Sequence, residues 1–196
     1  MPFAYPVSLE LSGRRAVVIG SLALRERKDV ALREAGADVE VYANDAWKPA
    51  DLDGAFLCVA SSSDPAERDA IAGAARHRGV LVNVMDDVPN CDFAAPAIVR
   101  RGDLVIAVGT GGRSPAVARK VREDLEARYG EEWREILQIV GRVRAETLDE
   151  LPDFGIRARR WREALDLDEA GALVRDGRGD ELRRRLTARL LDEAVA

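Results

Sequence analysis

The sequence is poor in the residues that bind metals and cross-link chains. Among 196 residues there is one histidine, His77, which excludes a histidine-rich metal site and any zinc-protease motif. Two cysteines, Cys58 and Cys91, make no disulfide framework and suit a reducing cytosol. No apolar run approaches the ~20 residues that span a bilayer. The opening Met1-Pro2-Phe3-Ala4-Tyr5-Pro6 lacks the basic start and apolar stretch of a signal peptide. A cytoplasmic chain without a membrane partner is the expectation. Positive charge is not in excess either. With 30 basic and 35 acidic side chains the net charge is −5, against the basic face of a nucleic-acid binder. Lysine stands only at positions 28, 48 and 120, so nearly all the basic residues are arginine. Such a skew reflects genome base composition, and arginine clusters alone carry little weight.

What remains is ample for a core. A chain of this length, 47% hydrophobic, buries roughly 70% of its unfolded surface without a staple. Arg15-Ala16-Val17-Val18-Ile19-Gly20 is a β-rich run ending in glycine, as a buried parallel strand does. Residues 22–34 read as a helix closed by Gly36, with Ala23, Val30 and Ala31 among its apolar positions. Further strands are predicted at 38–42, 54–60 and 80–84. Between the last two lies a helix with a capping-box start: Asp64 at the N-cap, Pro65 at N1, Glu67 at N3. This alternation predicts a parallel α/β sheet. Beyond residue 95 the pattern becomes a β-hairpin, 96–100 and 104–108 about Arg101-Gly102-Asp103. Ser114 and Pro115 then open a helix to about Tyr129. From Glu131 the chain is helical and charged, with breaks at Leu151-Pro152-Asp153 and Gly177-Arg178-Gly179.

Several segments carry a resemblance. Asp51-Leu52-Asp53-Gly54-Ala55-Phe56-Leu57, Val82-Asn83-Val84-Met85-Asp86-Asp87 and Cys91-Asp92-Phe93 are three of them. Pro96-Ala97-Ile98-Val99-Arg100-Arg101-Gly102 and Thr110-Gly111-Gly112-Arg113-Ser114-Pro115-Ala116, then Ala118-Arg119, continue it. Gly141-Arg142-Val143-Arg144 and Arg160-Trp161 extend it into the tail. Together they resemble the precorrin-2 dehydrogenase/sirohydrochlorin ferrochelatase family, whose module also forms the N-terminal part of siroheme synthases. The resemblance implies oxidation of precorrin-2 to sirohydrochlorin with NAD⁺, and in many members insertion of iron to give siroheme. It implies a homodimer with a Rossmann-like domain over 1–95, a dimerisation region over 96–127 and a small helical domain over 128–196. The expected partners are the tetrapyrroles, with Fe²⁺ or Co²⁺ as the metal a chelatase would take and no resident metal.

The candidate site residues follow. Gly20 is the first glycine of the dinucleotide turn, and Ala23 and Leu24 match the family's NAD contacts by position. The second and third glycine positions fall on Leu22 and Arg25, whose side chains occupy space the ligand or strand needs. A plain strand–helix turn is the other reading. Asn44 and Asp45, after the second strand, stand where a carboxylate accepts from the adenosine ribose hydroxyls; a solvated turn acid is the alternative. The segment 46–50 is shorter than in relatives, which carry an additional strand there. Ser62, in the triplet Ser61-Ser62-Ser63, lines the nicotinamide side by resemblance, or simply enters a helix. Asp86 lies just past a strand's C-terminal end and matches the family's aspartate for dehydrogenation and chelation; without that match it is a turn residue. Asp87 is its neighbour, with no separable role. Asn83 orients the loop or is a buried strand-end amide. Thr110, Gly111, Gly112, Arg113 and Ser114 place backbone N–H groups at a helix start, suited to a polycarboxylate substrate. The runner-up reading is a metal chelatase or tetrapyrrole-binding module without dinucleotide binding.

Overall fold

The protein is described from a computed structural model over residues 5–192; residues 1–4 and 193–196, including most of the opening hexapeptide, lie outside the described residues. The chain divides into two compact units, one of residues 5–95 with 111–113, the other of 96–110 with 114–192.

The first unit is built on a parallel sheet of β1 (Arg15–Ile19), β2 (Asp38–Tyr42), β3 (Leu57–Ala60) and β4 (Leu81–Val84), in the order β2-β1-β3-β4. Side chains alternate between its faces. Val17, Ile19, Cys58, Ala60, Val82 and Val84 pack with Ile71, Ala72 and Ala75 of helix α2 (Pro65–His77). Ala16, Val18, Val39, Leu57 and Val59 pack with Leu24 of helix α1 (Leu22–Glu34). Covered on both faces, β1 and β3 are continuous apolar runs, whereas β2, at the edge of the sheet, alternates polar and apolar residues. β3 begins three residues later than the sequence pattern suggests, because Gly54 sits at φ +73° in the turn before it. The inner face of α1 also differs from expectation. Leu24 is buried and Lys28 and Leu32 follow at four-residue spacing, whereas Ala23, Val30 and Ala31 are exposed. Gly20 causes this by letting Leu24 lie against the end of β1, which sets the helix's rotation. Lys28 is half-buried on that row, and the burial lowers its pKa.

The second unit holds the antiparallel hairpin β5 (Ala97–Arg101) and β6 (Leu104–Val108) and helix α3 (Pro115–Arg128). It continues through α4 (Glu132–Glu146), α5 (Phe154–Ala164), α6 (Leu167–Arg175) and α7 (Gly179–Leu191). Trp133, Ile136, Ile139 and Val143 of α4 form the core with Leu173, Leu182, Leu186 and Leu190. The break between α5 and α6 is unforeseen; Asp166 makes it by accepting from the N–H groups of Asp168 and Glu169. Among the described residues no helix is long and apolar enough to cross a membrane.

Candidate active site

The strand order decides where a ligand can sit. From β1 the chain passes through α1 to β2 on one side, then returns to place β3 on the other. The carboxyl ends of β1 and β3 therefore flank a topological switch point, where open α/β sheets form a crevice. A cleft of about 610 Å³ lies there, lined by Ser21, Ala23, Leu24 and Arg27 after β1, Ser61, Ser62 and Arg68 after β3, and Met85 and Asp86 after β4.

The donors on this cleft come mostly from α1. Ser21 caps the helix by accepting from the Leu24 N–H at 3.4 Å, and the Arg25 N–H bonds to the Ser21 carbonyl. Among the described residues, the Leu22 and Ala23 N–H groups at the helix start have no partner. Leu22 departs from glycine without filling the cleft, since its side chain is 63% exposed and not among the lining residues. Arg25 is partly buried, and its Nε lies buried without an acceptor among the described residues. Among the described residues Arg27 has one polar side-chain contact, to Met85 Sδ at 3.8 Å, and no carboxylate partner. These two N–H groups, nearby hydroxyls and the Arg27 guanidinium form a donor set that fits a pyrophosphate.

The residues after β2 behave differently from one another. Asn44 turns inward, its Nδ2 donating to the Ser61 carbonyl at 2.8 Å and Glu67 Oε2 at 3.1 Å. Asp45 is exposed, with its carboxylate unpaired among the described residues. Glu67 accepts also from Trp47 Nε1 at 3.0 Å and Ser62 Oγ at 2.5 Å, so the short segment 46–50 is fastened to α2. The capping box is thereby half made. Asp64 accepts from the Ala66 N–H, but Ser62 Oγ, not Glu67, takes the Asp64 N–H.

Asp86 is the outlier of the backbone, the one described non-glycine residue at positive φ, +61°. Its carboxylate lines the cleft and makes no hydrogen bond or ion pair among the described residues. Asp87 is committed: its Oδ2 accepts from Arg68 Nε at 2.8 Å and Asn90 Nδ2 at 3.2 Å, and these partners hold its pKa below the usual carboxylate range. Asn83 is buried and donates to the Phe93 carbonyl at 2.8 Å and Cys91 Sγ at 3.4 Å. Its amide thus fastens the strand end to the following loop. Cys58 is buried in β3, and burial pushes its thiol up to about 12.

The Thr110–Ser114 segment has a different arrangement. Ser114 caps α3 by accepting from the Val117 N–H at 3.2 Å, and Thr110 Oγ1 accepts from the Ser114 N–H at 3.2 Å. Pro115 carries no N–H and the Ala118 N–H is taken by the Ser114 carbonyl, so Ala116 holds the one free donor in that first turn. Arg113 is exposed and unpaired among the described residues, and Gly111 and Gly112 belong to the first unit with it. Arg119 and Lys120 pair within α3 with Glu123 and Asp124. His77 is exposed at the end of α2. The sequence reading missed Arg27, Arg68 and the role of Glu67. Their partners lie across the fold, where no local spacing marks them.

The comparisons with known proteins agree with this layout. Residues 7–97 match the family described as "Putative NAD(P)-binding", and residues 101–128 match "Sirohaem biosynthesis protein central". The chain is 31% identical over 180 residues to the siroheme synthase of Photobacterium profundum, covering 82% of this chain and 38% of that protein. It is 33% identical over 179 residues to siroheme synthase 1 of Yersinia enterocolitica, covering 82% and 38%. With siroheme synthase 1 of Serratia proteamaculans it shares 30% over 200 residues, covering 92% and 42%. The chain thus spans about two-fifths of the length of these relatives. Among solved structures, the fold matches that of SirC, a precorrin-2 dehydrogenase, with a TM-score of 0.58 at 20% identity over 95% of this chain and 98% of that one. By sequence, the chain belongs to the siroheme-biosynthesis family, as a relative of one portion of the siroheme synthases.

Proposed function

We propose that the chain oxidises precorrin-2 to sirohydrochlorin with NAD⁺ and that Asp86 is its general base. The observation that carries this is the unpaired Asp86 carboxylate on the same cleft as the free N–H groups of α1 and Arg27. When bound, NAD⁺ supplies the hydride acceptor. Arg27 and the Leu22 and Ala23 N–H groups hold its pyrophosphate, and Asp45 takes the adenosine ribose hydroxyls, which favours NAD⁺ over a 2′-phosphorylated form. Asn44 fixes the end of β2 beside it. Loss of a hydride leaves the tetrapyrrole cationic, and Asp86 accepts the proton it must then release. The same carboxylate serves metal insertion by accepting pyrrole N–H protons, with Fe²⁺ or Co²⁺ as substrate. The unpaired Arg113 and the backbone at Gly111 and Gly112 supply partners for substrate carboxylates.

The segment 96–127 is the dimerisation region. Ile98 and Val105 are exposed on one face of the hairpin, and Val117 and Val121 are exposed on α3, which supports burial against a second copy. The remaining parts are a dinucleotide domain, 1–95, and a helical domain, 128–196, in a cytosolic protein whose thiols are free.

Anaerobic incubation of precorrin-2 with and without NAD⁺, followed by sirohydrochlorin with Fe²⁺ or Co²⁺, tests the reading by absorbance. Oxidation that needs NAD⁺ and disappears in Asp86→Asn is expected. Metal insertion without any NAD⁺-dependent oxidation would transfer the assignment to a chelatase without dinucleotide binding.

A further inference from the structure

We propose that Arg68 is a positioning residue for Asp86, acting through Asp87. A non-glycine residue in the left-handed region costs on the order of 1–3 kcal/mol and persists only where its surroundings over-determine it. Asp86, at φ +61°, is held from both sides. Before it, the Met85 N–H donates to the Ala60 carbonyl at 2.8 Å. After it, the Asp87 N–H donates to the Val84 carbonyl at 3.2 Å, and the single proton of the Cys91 thiol is shared between the Val84 carbonyl at 3.0 Å and the Asp87 carbonyl at 3.3 Å. The Asp87 side chain is held by Arg68.

Arg68 does this from a different segment of the fold. Its Nε donates to Asp87 Oδ2 at 2.8 Å while its Nη1 donates to the Ser62 carbonyl at 3.0 Å and the Ser63 carbonyl at 3.4 Å. One guanidinium therefore ties the loop after β4 to the loop after β3, the two walls of the cleft on which Asp86 stands. The pair is partly shielded, with side chains 24% and 18% exposed. Asn90 completes the clamp, donating to Asp87 Oδ2 and to Asp69 Oδ1 of α2. The geometry divides the two adjacent aspartates. Asp87 is consumed in holding the loop, and Asp86 is left free to meet a substrate. A planar fork with several donors suits this task, and a lysine ammonium could not reach all three acceptors in the same directions.

The inference rests on Asp86 as the proton acceptor, so its test carries a readout that does not need turnover. In Arg68→Gln, kcat for precorrin-2 oxidation is expected to fall about 10- to 100-fold, the loss a roughly 1 Å misplacement brings. KM for precorrin-2 and the NAD⁺ dissociation constant should stay within about twofold. Arg68→Lys should recover part of kcat, and Asp87→Asn combined with Arg68→Gln should be little worse than either alone. Hydrogen exchange in Arg68→Gln should quicken roughly tenfold at the Met85 and Asp87 amides, with β1 and β3 unchanged. An unchanged kcat, or a loss confined to KM as for a direct substrate contact, overturns the proposal. So does exchange that quickens throughout the sheet, which marks general destabilisation. If the unaltered protein does not oxidise precorrin-2, the functional reading fails, and exchange at Met85 and Asp87 alone decides the clamp: a local rise upholds it and no local rise overturns it.

Discussion

Gly20 and Ser61 approach so closely that a Cβ on the glycine would stand 2.8 Å from Ser61 Oγ, and 2.7 Å from Leu24 Cδ2. The glycine joins β1 to α1 at φ +155°, a conformation that side chains rarely adopt. Gly20→Ala is accordingly expected to cost about 2–3 kcal/mol in urea unfolding, from strain and overpacking together. NAD⁺ affinity should fall with it, because Leu24 and the helix start must shift. Calorimetry showing parental NAD⁺ affinity in this variant would contradict the placement of the cofactor on this turn.

Asp86 separates stability from catalysis. Asn tolerates the left-handed region and glycine is at ease there, whereas alanine is not. Stability should therefore rank Asp86→Gly above the parent, Asp86→Asn close to it, and Asp86→Ala about 1 kcal/mol below it. All three should lose precorrin-2 oxidation by about 100-fold or more. Turnover by the asparagine variant at the parental rate would remove Asp86 from the mechanism.

Glu67 gathers Asn44, Trp47 and Ser62 at the base of α2. Glu67→Ala leaves three donors without that acceptor in a partly buried place. A loss of about 1–3 kcal/mol is expected, seen as a lower urea midpoint. The stretch 46–50 should become open to protease at the same time. If proteolysis there is unchanged, Glu67 does not fasten the segment.

In the middle of β2, Glu40 receives Arg15 through two bonds, Nε to Oε1 at 2.9 Å and Nη2 to Oε2 at 2.8 Å, and the Tyr42 hydroxyl at 2.7 Å. Arg15 and then Tyr42 lower its pKa from an ordinary 4.5 to about 2. A carboxyl whose folded pKa is depressed stabilises fully above its unfolded value, and that contribution is lost as pH falls through the folded one. Thermal melts of Glu40→Gln and the parent should differ above pH 4.5 and converge towards about pH 2. A constant gap across that window would show that the charge is not the cause.

Ile98 and Val105 test the dimer. Val105→Lys places a charge on the exposed hairpin face, opposite Arg100 in the register. Sedimentation should show a dimer for the parent and a monomer for the variant, with the helical content of both alike. A parental dimer that survives the charge would move the interface elsewhere.

Much of the local structure was legible in advance. Strand β2, helix α1 and strand β6 begin and end where alternation, the apolar runs and the closing glycine indicate, whereas the Ser21 cap of α1 emerges only from the structure. The rotation of α1 was not legible, since Val30 and Ala31 match Leu24 and Leu32 in hydrophobicity and only contact with the sheet separates them. The break at Asp166 was missed because its capping competes with a continuous helical pattern. Within the site, Asp86 was marked by its place after a strand. The commitments of Asn44 and Asn83 to neighbouring backbone were not visible, because an amide reads alike whether it faces ligand or loop.

The sequence by itself determined the parallel α/β sheet, the hairpin and the helical tail, because periodicity and end signals are local. It also determined the family, through short motifs that need no geometry. Tertiary structure decided which of two adjacent aspartates is free. Arg68 lies 19 residues before Asp87, and only the pairing of β3 with β4 brings the guanidinium to that carboxylate. Once it is there, Coulomb attraction and hydrogen bonding consume Asp87 and leave Asp86 bare on the cleft.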